Sequence, residues 1–154
     1  MGLDMYLKGR RYLSTLKAED RERSEAIQKL FPDLVKHVGR FGSAPIQEVM
    51  MEVGYWRKAN QIHGWFVREV QGGEDDCKEY YVSREQLTEL RDLCRRVLDF
   101  KHLANELLPN TTGFFFGDQE YDEYYYSDIE NTIEIINQAL ELPEDWDIQY
   151  QSSW

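Results

Sequence analysis

The side chains most capable of chemistry cluster between Trp56 and His63, inside the stretch Gly54–Val70, GYWRKANQIHGWFVREV. Arg57 can grip a phosphate or carboxylate through two parallel N–H donors. Trp56 can stack on a planar base. Lys58, Asn60 and His63 add a point charge, an amide and an imidazole within about two helical turns. Read as a helix, the stretch leaves unpaired backbone N–H groups in its first turn, and its dipole favours an anion there. Trp56, Arg57, Lys58, Asn60 and His63 are therefore the expected ligand-binding set, with a nucleotide-like anion as the expected ligand. The plainer alternative packs Trp56 and His63 into the core and leaves Arg57-Lys58 as surface charge. No glycine-rich phosphate loop accompanies the run.

A second cluster interleaves aromatic and acidic residues over Gly113–Tyr126, GFFFGDQEYDEYYY. Consecutive tyrosines cannot all face the inside of a helix, so at least one of Tyr124, Tyr125 and Tyr126 should be exposed. Exposed tyrosines beside carboxylates suit a protein interface, and Tyr121, Asp122, Tyr124, Tyr125 and Tyr126 are the expected interface set. The alternative is a loop anchored to the core by Phe114, Phe115 and Phe116. A third arrangement is catalytic: Cys77 follows a loop, and His63 could meet it in space as an activating base. Spacing alone does not pair them. No Cys-x-x-Cys or His-x-Glu occurs, and the acidic pair Asp75-Asp76 with Cys77 and His63 lacks metal-ligand spacing. No metal, cofactor or catalytic residue is assigned.

These residues need elements to hold them. Leu3, Met5 and Leu7 alternate with polar neighbours as a short strand closed by Arg10-Arg11. Ala18–Ile27 is charged and helix-friendly, with Leu30, Phe31, Leu34 and Val35 as its apolar continuation and Pro32 as a break. Gly39, Gly42 and Pro45 mark a loop. Ile46–Tyr55 reads as a strand whose face is Val49, Met51, Val53 and Tyr55, and Gly54 permits a sharp exit into the central helix. In that helix Ala59, Ile62, Phe66 and Val70 form the core stripe, with His63 near its middle. Gln71-Gly72-Gly73 ends it.

Lys78–Val82 is a third strand. Ser83 with Gln86 makes a capping box for a helix that carries Leu87, Leu90, Cys94, Val97 and Leu98 and runs to about Leu108. Thr111–Phe116 is a short apolar segment. Ser127 with Glu130 makes a second capping box, and Ile129, Ile133, Ile136 and Leu140 line the last helix. Trp146, Ile148 and Tyr150 alternate as a final strand. The order points to an α+β fold: a small, mostly antiparallel sheet covered by three to four helices, in a single domain over 1–154.

The net charge is −11 and very uneven. Residues 102–154 hold twelve Asp or Glu and no Lys or Arg, a charge of −12 that leaves +1 for residues 1–101. That acidity disfavours direct nucleic-acid binding and suits either a solvated face or a basic protein partner. No run reaches the roughly eighteen apolar residues of a membrane helix, so no membrane partner is expected. The start, MGLDMYLKGRRYL, is not read as a signal peptide or a myristoylation site, and two cysteines fit a reduced, cytoplasmic setting.

The blocks MGLDMYL, YWRKANQIHGWF, GEDDCKEYYVSREQL and GFFFGDQEYDEYYY resemble a family of small uncharacterised proteins of bacteriophages and prophages, and the resemblance covers most of the chain. It brings no activity and no residue roles with it. It implies an accessory phage protein in a bacterial cytoplasm, a class in which many members counter host defence. The expected function is a non-catalytic phage accessory protein, with a possible anti-defence role, that sequesters an anionic nucleotide-like ligand. The alternatives are an acidic protein that blocks a basic surface of a host defence protein, and a Cys77/His63-dependent enzyme. A homo-oligomer is left open.

Overall fold

The computed structural model describes residues 2–34, 37–40, 42–112 and 120–154. Val35, Phe114, Phe115, Phe116 and Asp118 lie outside the described residues, and with them most of the expected Thr111–Phe116 segment.

The protein is α+β, with five helices and a four-stranded antiparallel sheet among the described residues. The strands of that sheet are β1 (Asp4–Tyr12), β4 (Glu48–Arg57), β5 (Tyr80–Tyr81) and β6 (Asp147–Ser153), in the order β4-β1-β6-β5. A separate pair joins β2 (His37–Val38) to β3 (Gly42–Ser43). The helices are α1 (Ala18–Leu30), α2 (Asn60–Glu69), α3 (Arg84–Asp99), α4 (Ala104–Leu107) and α5 (Glu123–Leu140). No helix among the described residues is long and apolar enough to cross a membrane.

Chain contacts divide the molecule into two compact units, one made of Met1–Gly9 with Glu52–Trp154 and the other of Arg10–Met51. In the first, alternation along β1 buries Leu3, Met5 and Leu7 completely, as a strand with one covered face requires. From β6, Ile148 and Tyr150 join the same core, and Tyr80 of β5 lies opposite Tyr150. Helix α2 contributes Ile62 and Phe66, α3 contributes Leu87, Leu90, Cys94 and Val97, and α5 contributes Ile129, Ile136 and Ala139. Helices α3 and α5 pack on one another. Arg84, in the first turn of α3, donates to the carbonyls of Leu140, Leu142 and Pro143 at 2.9–3.2 Å. It thereby supplies donors at the end of α5, where carbonyls lack helical partners.

The smaller unit is organised by a polar hub. Asp20, buried on α1, accepts from Ser14 N–H at 3.1 Å, Arg11 Nη2 at 3.2 Å and Arg23 Nη1 at 3.1 Å. The Ser14 backbone bond holds its carboxyl below the usual range, with the guanidinium of Arg23 assisting against the cost of burial. Its apolar side chains are poorly covered: Leu16, Leu30, Phe31 and Leu34 are exposed.

Several boundaries differ from the sequence reading, each for a local reason. The central helix does not begin at Gly54. Strand β4 continues through Trp56 and Arg57, and Lys58 turns the chain with a left-handed φ of +61°. Lys58 N–H still bonds the Leu3 carbonyl at 2.8 Å, so pairing persists to the turn itself. The buried face of β4 also switches: Gly54 and Trp56 are buried, while Met51 and Tyr55 are exposed. Gly54 serves packing rather than exit, since a Cβ there would sit 2.2 Å from Ile135 Cγ2. Helix α3 carries the expected Ser83–Gln86 capping box, but it stops at Asp99 and a 3₁₀ turn at Lys101–Leu103 intervenes before α4. Helix α5 starts before the expected Ser127–Glu130 box. Asp122 Oδ1 accepts from the N–H groups of Tyr124 (3.0 Å) and Tyr125 (3.1 Å), which caps the helix a turn earlier.

Candidate functional site

The end of β4, the start of α2 and the start of α5 converge on a pocket of about 330 Å³. Arg57 and Lys58 form one side, Asn60, Gln61 and Tyr125 contribute from below, and Asp122, Tyr124 and Asp128 come from α5. Asn110 and Glu120 complete it. It therefore joins residues from both stretches singled out in the sequence, one expected for ligand and one for protein contact. The turn at Lys58 is responsible. It reverses the chain immediately after the strand, so Arg57 and the first residues of α2 share one opening.

Hydrogen bonds hold the walls. Thr111 N–H donates to Asn60 Oδ1 at 2.7 Å. Asn110 Nδ2 donates to the Glu120 carbonyl at 3.3 Å. Tyr125, buried beneath the opening, donates from its hydroxyl to the Leu108 carbonyl at 2.8 Å, and burial pushes its ionisation up. Arg57 and Lys58 are both exposed, and among the described residues neither has a carboxylate partner. Tyr124 is 73% exposed and presents a free aromatic face.

Asp128 is the unusual member. It lies half-buried on the inner side of α5, and desolvation pushes its carboxyl up to about 6 despite a bond from Gln61. That bond is long, 3.4 Å from Gln61 Nε2 to Asp128 Oδ2. The Asp122 carboxylate, which caps α5 six residues earlier, pushes in the same direction. A carboxyl raised by burial beside a pocket is a common mark of a functional group.

Two members of the expected ligand set do not line the pocket. Trp56 is buried, donates from Nε1 to Thr132 Oγ1 at 2.9 Å and meets Phe66 edge-on at 6.0 Å. Its strand position points it into the core, so it anchors the site without facing it. His63 is 1% exposed. Its Nδ1 lies 2.7 Å from the Tyr150 hydroxyl and its Nε2 lies 2.9 Å from Asp75 Oδ2. The Tyr150 ring stacks on Phe66 at 3.8 Å and 5°, and Trp154 Nε1 donates to Asp75 Oδ1 at 3.0 Å. The sequence expectation of a buried, hydrogen-bonded His63 holds. With both ring nitrogens engaged, His63 has none left for Cys77, which is half-buried at a left-handed φ of +58°. Cys94 is wholly buried, and desolvation pushes its thiol up.

In the expected interface set, only Tyr124 is fully exposed. Asp122 is the α5 cap. Tyr121 and Tyr126 are half-buried: Tyr121 donates to Asn105 Oδ1 at 2.8 Å, and the Tyr126 ring lies 4.5 Å below Lys101 Nζ. Among the described residues, no group of three or more His, Cys, Asp or Glu is placed to hold a metal ion. The sequence reading missed Gln61, Asn110 and Asp128. A signal for Asp128 existed: it shares the inner stripe of α5 with Tyr125 and Thr132, at spacings of three and four.

Comparison with protein-family models, curated proteins and solved structures finds no match to this chain.

Proposed function

We propose that the protein is a non-catalytic binding protein that holds a small ligand with an anionic group in the Arg57–Asp128 pocket. The observation that carries this reading is that two exposed cations, with no carboxylate partner among the described residues, line one concave opening with an exposed aromatic ring. A guanidinium without a partner keeps its paired donors for an oxyanion, and Tyr124 offers a stacking face for a planar ring. The volume sits at the small end of ligand sites, about 300–1,000 Å³, and suits one nucleotide better than two. The likeness of four sequence blocks to phage and prophage proteins supports an accessory role in an infected bacterium. Sequestering a nucleotide-like signal there would counter host defence.

Calorimetric titration with mono-, di- and cyclic nucleotides tests the reading. Arg57→Ala should weaken binding by about ten- to a hundred-fold, the loss of one charge-assisted contact, with an unchanged melting temperature. Binding of none of the panel by the wild type would sink it.

One observation favours a second reading. Glu123, Glu130, Glu134 and Glu141 are all exposed along α5, a stripe that would face a basic protein surface. Association through that stripe should weaken steeply with salt, since exposed charges are screened beyond about 10 Å at 0.1 M. A pull-down indifferent to salt would reject it.

A further inference from the structure

We propose that Asp128 and Gln61 select the far end of the ligand, and that they select a planar group carrying two adjacent N–H donors. This rests on the pocket reading above and deepens it. The pocket has two chemically opposite ends. At one, Arg57 and Lys58 offer only donors. At the other, the side chain of Gln61 is 2% exposed, yet its carbonyl oxygen accepts no hydrogen bond from the described residues. Beside it, among the described residues, Asp128 receives one long bond on Oδ2 and none on Oδ1.

An amide oxygen and a carboxylate oxygen that receive no donor from the described residues are open to one from a ligand. What fits is a flat edge with neighbouring N–H groups, which a carboxylate receives in a bidentate fashion. Guanine carries such an edge in its ring N–H and exocyclic amine. A guanidinium carries another. Adenine carries a donor next to an acceptor, and the acceptor would face a carboxylate oxygen. Tyr124, on the same helix one turn before Asp128, offers its ring to the plane of the group.

The charged groups around Asp128 set the sign of the pH dependence. Gln61 of α2 and Asp122, the cap of α5, act on it directly, and Glu120, Arg57 and Lys58 line the same pocket. Burial and Asp122 hold the carboxyl up to about 6. Above that value it is an acceptor; below it carries a proton and no longer receives two donors. Affinity for a donor-pair ligand should therefore fall about tenfold from pH 7 to pH 5.

Titration calorimetry of the full chain decides this with four probes: GMP, IMP, AMP and L-arginine, each at pH 7 and pH 5, against wild type and Asp128→Asn. The expected order is GMP, then IMP, which lacks the exocyclic amine, then AMP, with roughly tenfold between the extremes or more. Asp128→Asn, which preserves shape, should bring GMP down to the level of AMP and leave GMP only the pH dependence that AMP shares through its phosphate. L-Arginine binding with the same sensitivity to Asp128→Asn would also support the donor-pair assignment and identify a guanidinium as its source. Equal binding of GMP and AMP by wild type, with no arginine binding, overturns this inference while the pocket reading stands. Silence from every probe overturns both. Selectivity retained in Arg57→Ala at undiminished affinity leaves the donor-pair assignment standing and removes the anionic end.

Discussion

Helix α2 carries two polar clusters two residues apart, at Gln61 and His63, and they have opposite characters. At His63 every polar atom of the ring is spent: Tyr150 holds one nitrogen and Asp75 the other, and Trp154 secures the second oxygen of Asp75. Gln61 is as deeply buried, but its side chain's one partner among the described residues is a distant carboxylate oxygen. Burial therefore does not separate architecture from site. Satisfaction does. A buried polar network with every member paired specifies one packing, whereas an acceptor that no described residue reaches is open to a ligand. On the binding reading proposed above, the first cluster belongs to the fold and the second to the ligand.

The strongest test of that contrast removes the closed cluster. His63→Ala leaves a cavity beneath a stacked Phe66–Tyr150 pair and takes a partner from both the Tyr150 hydroxyl and Asp75. The expected loss is about 3–4 kcal/mol, from cavity and orphaned polar groups together. Urea unfolding measures it. Ligand affinity per folded molecule should not change, and a variant that keeps its stability but loses binding would reverse the roles assigned to the two clusters.

Tyr150→Phe is gentler. It keeps the ring on Phe66 and deletes only the hydroxyl, so His63 Nδ1 is left without its partner. The expected cost is about 1–2 kcal/mol, read from the same unfolding curves. A neutral result would mean that the network is replaced by something else and is not the closed cluster described.

The two clusters were unequally legible in the sequence. The helical spacing of Ala59, Ile62 and Phe66 and the alternation of Leu3, Met5 and Leu7 each report burial directly, and His63 follows from its place on the first of these. The Ser83–Gln86 box was readable because nothing nearby competes with it. By contrast, Asp122 and Ser127 are both good caps within a few residues, and only the fold shows that Asp122 wins. The run Trp56-Arg57-Lys58 contains no glycine or proline, so nothing local announces that the strand continues to Arg57 and that Lys58 takes the left-handed turn. The pocket depends on that turn and on the placement of α5. That is why the cations and the tyrosines were seen as two sites, and why Asp128 passed as one carboxylate among twelve in residues 102–154.

The smallest effect sharpens the comparison most, because it has opposite signs for fold and function. Folding raises the Asp128 carboxyl from its ordinary value of 3.8 to about 6. Between those values the folded chain holds a proton that the unfolded chain has released. Stability from this group is thus fully present at low pH and falls as pH rises through about 6. Asp128→Asn removes the titration, so the variant should gain on wild type as pH rises from 4 to 7. Because the group is partly open to solvent, the gain is discounted to about 1 kcal/mol. Parallel thermal melts of both proteins across that range measure it. The same substitution should weaken binding of a donor-pair ligand at pH 7. A carboxylate that costs the fold stability and returns it only to the ligand is a binding group. If Asp128→Asn instead destabilises the protein at pH 7, Asp128 belongs with His63 among the structural groups, and the open end of the pocket must be sought at Arg57 and Lys58 alone.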